Sequence, residues 1–211
     1  MPTLVDTISG YHKYLYDKVA FAVNTLLPNP IQFFTIPIGQ GTSPTAGTGA
    51  KQIQDTNIDD GQKLPNPLLA FTLTSIRLQV YGNTATGALP TINDIGRLMR
   101  NYVGRLWISN KDYLDVPLTY IPGGGGVQYQ GGLSTAGLTY TTTVFGGQSG
   151  VPSDTAKMQL SRYIKWSKDE TFRFELWGST FTTDITASTV LGQGMLIEVG
   201  FEGATDEYIA A

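Results

Sequence analysis

The fold class this sequence predicts is an all-β antiparallel sandwich, and three observations carry that prediction. Threonine and aromatic residues, which suit a pleated, half-buried surface, are abundant, with 27 threonines and 11 % aromatics in 211 residues. The 25 glycines and 11 prolines cut the chain into short pieces, as turns between strands require. Apolar runs of strand length then recur without a helix between most of them, so parallel βαβ units are not expected. The length suits one domain with a substantial core.

The first 27 residues predict a helix instead. Leu4, Ile8, Tyr11, Leu15, Val19, Ala22 and Leu26 fall three or four apart, which makes one apolar stripe at the helical period. Asp6 stands near the start of that run and Pro28 ends it. Its polar face would carry His12, Lys13, Asp17 and Lys18, too few lysines for a strong membrane binder. IQFFTIPI at 31–38 reads as a strand, and residues 39–66 as a long loop rich in Gly, Thr, Ser and Pro. A loop of that length is expected to function or to order on a partner.

PLLAFTLTSIRLQVYG at 67–82 alternates once a one-residue slip near Ser75 is allowed, the signature of a β-bulge. TINDIGRLMRNY at 91–102 predicts a short inserted helix, with Thr91 and Asp94 spaced as a capping box. Strands are expected at 105–110, 113–121, 139–146, 158–166, 171–178 and 190–203. In TFRFEL, Phe172, Phe174 and Leu176 fall to one side, Thr171, Arg173 and Glu175 to the other. Near the end, Leu196, Ile197, Val199 and Phe201 put most of their apolar groups on one face, with Glu198 and Glu202 outside. About eight strands with connections of uneven length favour a single eight-stranded jelly roll over a regular hairpin barrel. The expected division is an amphipathic helix or arm at 1–27 and one sandwich domain at 28–211.

Chemistry is sparse. Charged residues make up 15 % of the chain, against roughly 25 % in an ordinary soluble protein, so part of the surface suits burial against other chains. A net charge of −3 gives no strong nucleic-acid signal. Six Lys or Arg face one acid between Gly61 and Lys111, and eight acids face one base between Asp169 and Ala211. These are two faces of one domain, or complementary surfaces that meet between identical subunits. With no cysteine there is no disulfide and no thiolate metal site. The start has no secretory signal pattern, and no stretch approaches the length of a membrane span.

His12 is the only histidine, and a solvated residue is a better reading than a triad base. Asp55, Asp59 and Asp60 offer oxygens to a cation but lack the alternating spacing of a calcium loop. Glu198 and Glu202 would lie about 13 Å apart along a strand, too far for a glycosidase pair. Trp107, Trp166 and Trp177 stand inside expected strands, where core is the default. Gly123, Gly124, Gly125 and Gly126 follow DYLDVPLTYIP. No lysine or helix signal follows them, so they do not form a phosphate loop. The segment 122–153 reads instead as backbone-rich surface, interrupted by one Thr-rich strand, that adapts to a neighbour. No catalytic residue, cofactor or metal is expected.

PLLAFTLTSIRLQVYG, DYLDVPLTYIPGGGG and VLGQGMLIEVGFEG, in a chain with few charges and long loops, give the whole a plan. It resembles the single jelly-roll coat proteins of tailless icosahedral viruses, including membrane-containing bacteriophages. The resemblance implies a self-assembling capsid subunit without catalysis, found in the virion and made in the host cytoplasm. Its partners would be copies of itself and other virion proteins. Loops would make the contacts, and the N-terminal helix would face inward, toward an internal membrane or the genome. Leu4, Ile8, Leu15 and Val19 with Gly123 to Gly126 are then the candidate contact residues. The arm lacks the Arg/Lys cluster of a genome-binding coat. The alternative is a non-catalytic binding module, a lectin-like or receptor-binding sandwich, for which Tyr129 and Tyr140 would be exposed aromatics.

Overall fold

The alternation in TFRFEL sets the inner layer of one sheet. Phe172, Phe174 and Leu176 are fully buried while Arg173 points outward. The computed structural model describes residues 7–22, 24–81, 92–121, 127–134, 142–149, 157–183 and 193–208. Along the chain run β1 (Thr7–Ala22), β2 (Ile31–Phe33), β3 (Leu68–Tyr81), α1 (Ile92–Asn101), β4 (Tyr102–Ile108) and β5 (Lys111–Pro117). Then follow a 3-10 turn at Leu118–Tyr120, β6 (Val127–Ser134), β7 (Thr142–Ser149), β8 (Met158–Ser167), β9 (Phe172–Gly178) and β10 (Gln193–Tyr208).

Eight of these strands form two four-stranded antiparallel sheets, ordered β1-β10-β3-β8 and β2-β9-β4-β5, while β6 and β7 make a separate two-stranded ribbon. The pairs β1·β10, β2·β9, β3·β8 and β4·β5 are all antiparallel. The chain therefore doubles back on itself at the β4–β5 turn like one long hairpin. Its two arms are rolled so that successive strand pairs fall in opposite sheets. The contacts β3·β10 and β4·β9 close each sheet across the roll.

Aromatic rings fill the space between the sheets. Phe34 packs on Phe201 at 4.8 Å between centroids and on Phe172 at 5.3 Å, and Trp166 packs on Phe71 at 5.1 Å and on Phe172 at 5.2 Å. These rings come from both sheets and from the segment after β2, so burial there couples distant parts of the chain.

The helix expected over 1–27 is replaced, across the described residues 7–22, by strand β1, paired along its length with β10. Residues four apart share a face in a strand as well as in a helix, so Leu15 and Val19 fit both periods. What hides the strand is Asp17, an inward position between Leu15 and Val19 that reads as a break in apolar alternation. It is 1 % exposed. Leu26, assigned to the helical stripe, is 61 % exposed, whereas its neighbour Leu27 is buried.

The slip near Ser75 is present: the register of β3 shifts between Leu73 and Ser75 against both β8 and β10. The inserted helix is present as α1, with Ile95 and Leu98 buried and Met99 packed on the core. Tyr129 lies on β6 with its side chain outside the described residues, and Tyr140 lies outside them altogether.

Candidate functional site

The long segment between β2 and β3 has no regular structure of its own, yet it is ordered by contacts within the chain. Asp17 on β1 is its first anchor. Its carboxylate accepts from Lys51 Nζ at 2.5 Å and from the Phe34 amide at 2.6 Å, and Lys51 is 3 % exposed. Burial pushes the Asp17 carboxyl up, against the pull of Lys51 and the amide hydrogen bonds.

Asp55 is the second anchor, accepting from Ser43 Oγ at 2.7 Å, the Gln52 amide at 3.0 Å and the Thr45 amide at 3.2 Å. Burial alone would raise its carboxyl, but those hydrogen bonds hold it below the usual range. Its oxygens face inward, whereas Asp59 and Asp60 are exposed and Asp60 pairs with Lys63 at 2.8 Å. The three aspartates are therefore not brought together. Among the described residues, no group of three His, Cys, Asp or Glu side chains gathers where a metal would sit.

The uneven charge along the sequence is compensated within the fold. Glu202 on β10 accepts from Arg77 at 2.9 Å and Ser75 Oγ at 3.1 Å, and also pairs with Lys157. Burial raises the Glu202 carboxyl, and the bonds from Lys157, Ser75 and Arg77 outweigh it and hold it low. Glu198 pairs with Lys18 at 3.4 Å and accepts from Tyr14 Oη at 3.1 Å, and Asp206 pairs with Lys165 at 3.0 Å. The acidic C-terminal region thus meets its counter-charges on β1, β3 and β8, which is the one-domain reading of the pattern. Glu198 and Glu202 are each paired with their own cations, Lys18 for the first and Arg77 and Lys157 for the second.

The outer face of the β2-β9-β4-β5 sheet carries a connected side-chain array. Gln32, Glu175, Arg105 and Asp115 stand in one cross-strand row. Glu175 accepts from Trp177 Nε1 at 2.7 Å, Arg173 Nε at 2.8 Å and Gln32 Nε2 at 3.0 Å. These partners cover it so completely that it is 2 % exposed on an outward face. Its burial acts to raise the carboxyl, and the three hydrogen bonds win and lower it. Arg105 lies over the Trp177 ring at 5.5 Å and Arg173 over the Trp107 ring at 5.1 Å. Trp166 is core, as the sequence suggests, but Trp107 and Trp177 are half-buried on this outer face. An alternation count on β4 and β9 against Phe172 and Phe174 would have placed them there.

Of the contact candidates, Leu15 is fully buried in the chain's own core, and Val19 is half-buried with one side against that core. Neither stands on an exposed helical stripe. Ile8 pairs through its backbone with Glu207, its side chain lying outside the described residues. Leu4 and Gly123 to Gly126 also lie outside them. His12 is exposed on β1.

One open groove was not foreseen. It holds about 480 Å³ between the edge of β1, the start of β2 and the segment after β2. Val19, Phe21, Pro28, Ile31, Ile36 and Pro44 give it apolar walls, with Gln32, Lys18 and Lys51 beside them. Among the described residues no helix is long and apolar enough to cross a membrane. Comparison of the chain with protein-family models, with curated proteins and with solved structures finds no match in any of the three.

Proposed function

We propose that this chain is a virion structural protein, a capsid subunit of the single jelly-roll type that assembles with copies of itself and with other virion proteins. The observation that carries the reading is the strand order. With the β6–β7 ribbon set aside as an insertion, β1-β10-β3-β8 facing β2-β9-β4-β5 is the order a rolled eight-stranded hairpin gives. Two interleaved Greek keys of that kind are the plan of a jelly roll, an architecture used by viral coats and by lectins. Low charge supports the coat, since 15 % charged residues leave much surface weakly solvated. Contacts are assigned to loops and strand edges, because the N-terminal stretch from residue 7 belongs to the sheet. The role is structural, without catalysis. Light scattering over a concentration and salt series, with images of the heaviest fraction, tests it directly. Rings, sheets or shells are expected.

A second reading, a lectin-like binding module on the same fold, draws on Trp107 and Trp177 sharing one outer sheet face. Fold alone does not choose between the two. A glycan screen read by tryptophan fluorescence separates them. Binding by a strictly monomeric protein, lost in Trp107→Ala, would favour the module.

A further inference from the structure

We infer that the edge of β1 at Ala20 is a strand-addition site, occupied in the assembled protein by an extended segment of a second copy of this chain. The inference rests on the assembly reading above and names one of its contacts. β1 is an edge strand, hydrogen-bonded in its sheet to β10 alone. In an antiparallel pair, alternate residues turn both their N–H and their C=O away from the partner strand.

Between Tyr14 and Ala22 of β1 these are the even-numbered residues, and on each of them but Ala20 the chain itself satisfies at least one of the two groups. The Tyr14 carbonyl accepts from Asn57 Nδ2 at 2.7 Å, and the Tyr16 amide donates to Asn57 Oδ1 at 3.0 Å. The Tyr16 carbonyl accepts from the Asn57 amide at 3.3 Å, and the Lys18 amide donates to the Asp55 carbonyl at 2.9 Å. Farther on, the Ala22 carbonyl accepts from Thr183 Oγ1 at 2.9 Å. Ala20 belongs to the same series. Among the described residues, its outward N–H and C=O have no partner.

Ala20 also lines the apolar groove, between Val19 and Phe21, whose side chains pack on the core. The groove's volume of about 480 Å³ lies within the range that binds ligands. An occupant must offer a backbone donor and acceptor to Ala20 and an apolar side chain to Ile31, Ile36 and Pro44. An extended peptide does both, which is the chemistry of strand addition. A lipid or small apolar molecule would fill the groove and leave Ala20 unpaired.

Exposed edges are normally covered, charged or blunted by proline. Here Asp55 and Asn57 cover the edge on one side of Ala20 and Thr183 covers it on the other. The gap itself, Val19-Ala20-Phe21, carries neither charge nor proline. A shell of identical chains presents the same segment to each such gap. An edge that takes up a different part of the next copy is a heterologous contact, the kind that propagates into rings or lattices.

The test uses the full chain, amide hydrogen exchange and two variants. Ala20→Pro removes an N–H that no ladder bond uses, so an edge position accepts it. Ile36→Lys puts a charge into the groove from a side chain already 40 % exposed. Assembly is expected to slow exchange of the Ala20 amide, and each variant to raise the concentration needed for assembly roughly tenfold or more. If Ala20→Pro melts early, Ile36→Lys and the wild-type exchange data still decide. Wild-type assembly with an Ala20 amide as open as in the dilute protein, or with both variants assembling normally, overturns this contact and leaves the capsid reading standing. A wild-type chain that stays monomeric throughout overturns both.

Discussion

Asp17 and Lys51 are 34 residues apart in sequence, and the ion pair they form is nearly sealed from solvent. A buried pair is a weak source of net stability but a costly one to halve, because the remaining charge has no partner. Asp17→Leu or Lys51→Met alone is expected to cost about 3–5 kcal/mol, and the double Asp17→Leu/Lys51→Met less than either single change. Urea unfolding of the four proteins as a double-mutant cycle measures this, and additive losses would mean the pair is not coupled. The same pair explains why β1 was illegible. A buried aspartate on an inner face gives no sign, in sequence, of the lysine that compensates it. Phe172 and Phe174 were legible because every inward neighbour on β9 is apolar, and Phe174→Ala is expected to cost about 3–5 kcal/mol.

Acid stability follows from the carboxylates. Asp55, Glu175 and Glu202 are held below their ordinary values of 3.8, 4.5 and 4.5. As pH falls the unfolded chain takes up these protons first, so their contribution is whole above about pH 5 and is lost progressively as pH falls through their lowered folded values. Asp17 is raised and acts with the opposite sign, since the folded protein takes up its proton first. Three groups against one predict thermal melts that are flat from pH 7 to about pH 5 and then fall steeply. A midpoint that climbs on acidification would show that Asp17 dominates.

At the level of elements, the bulge at Ser75, helix α1 and the inner faces of β9 and β10 were readable from periodicity. β1 was not, and its reassignment changes what truncation should do. Removing residues 1–27 takes away an edge strand, uncovers β10 and unseats Lys51. The truncated chain is therefore expected not to fold, and circular dichroism with a cooperative melt would contradict that. The segment from 39 to 66 looked like a loop awaiting a partner, because the bonds that order it run from scattered polar residues within it onto Asp55, and from Lys51 to Asp17 on a separate strand. It is expected to resist limited proteolysis in the isolated protein despite the exposed Ile53. Asp55→Ala should open it to cleavage between residues 41 and 62, and early cutting of the wild type there would mean that the hub does not hold it.

Across the whole molecule, composition and spacing announced the sandwich, and strand count pointed toward its size. The order of strands within each sheet was beyond reach. Register between segments more than a hundred residues apart, such as β1 and β10, depends on facing side chains that no local window contains. That order is nevertheless what supports the functional reading, since a rolled hairpin of eight strands with little charge suits assembly. Under the proposed capsid role, its internally paired charges would leave subunit contacts to strand edges, apolar groove and loops more than to opposed charges. Assembly should then weaken little between low and moderate salt, because such contacts are not screened. The most direct measurement is the mass of the purified full-length chain by light scattering, from micromolar to the highest soluble concentration, with electron micrographs of the heaviest fraction. The account predicts rings, sheets or closed shells that persist as salt is raised. A monomer at every concentration and salt would contradict it.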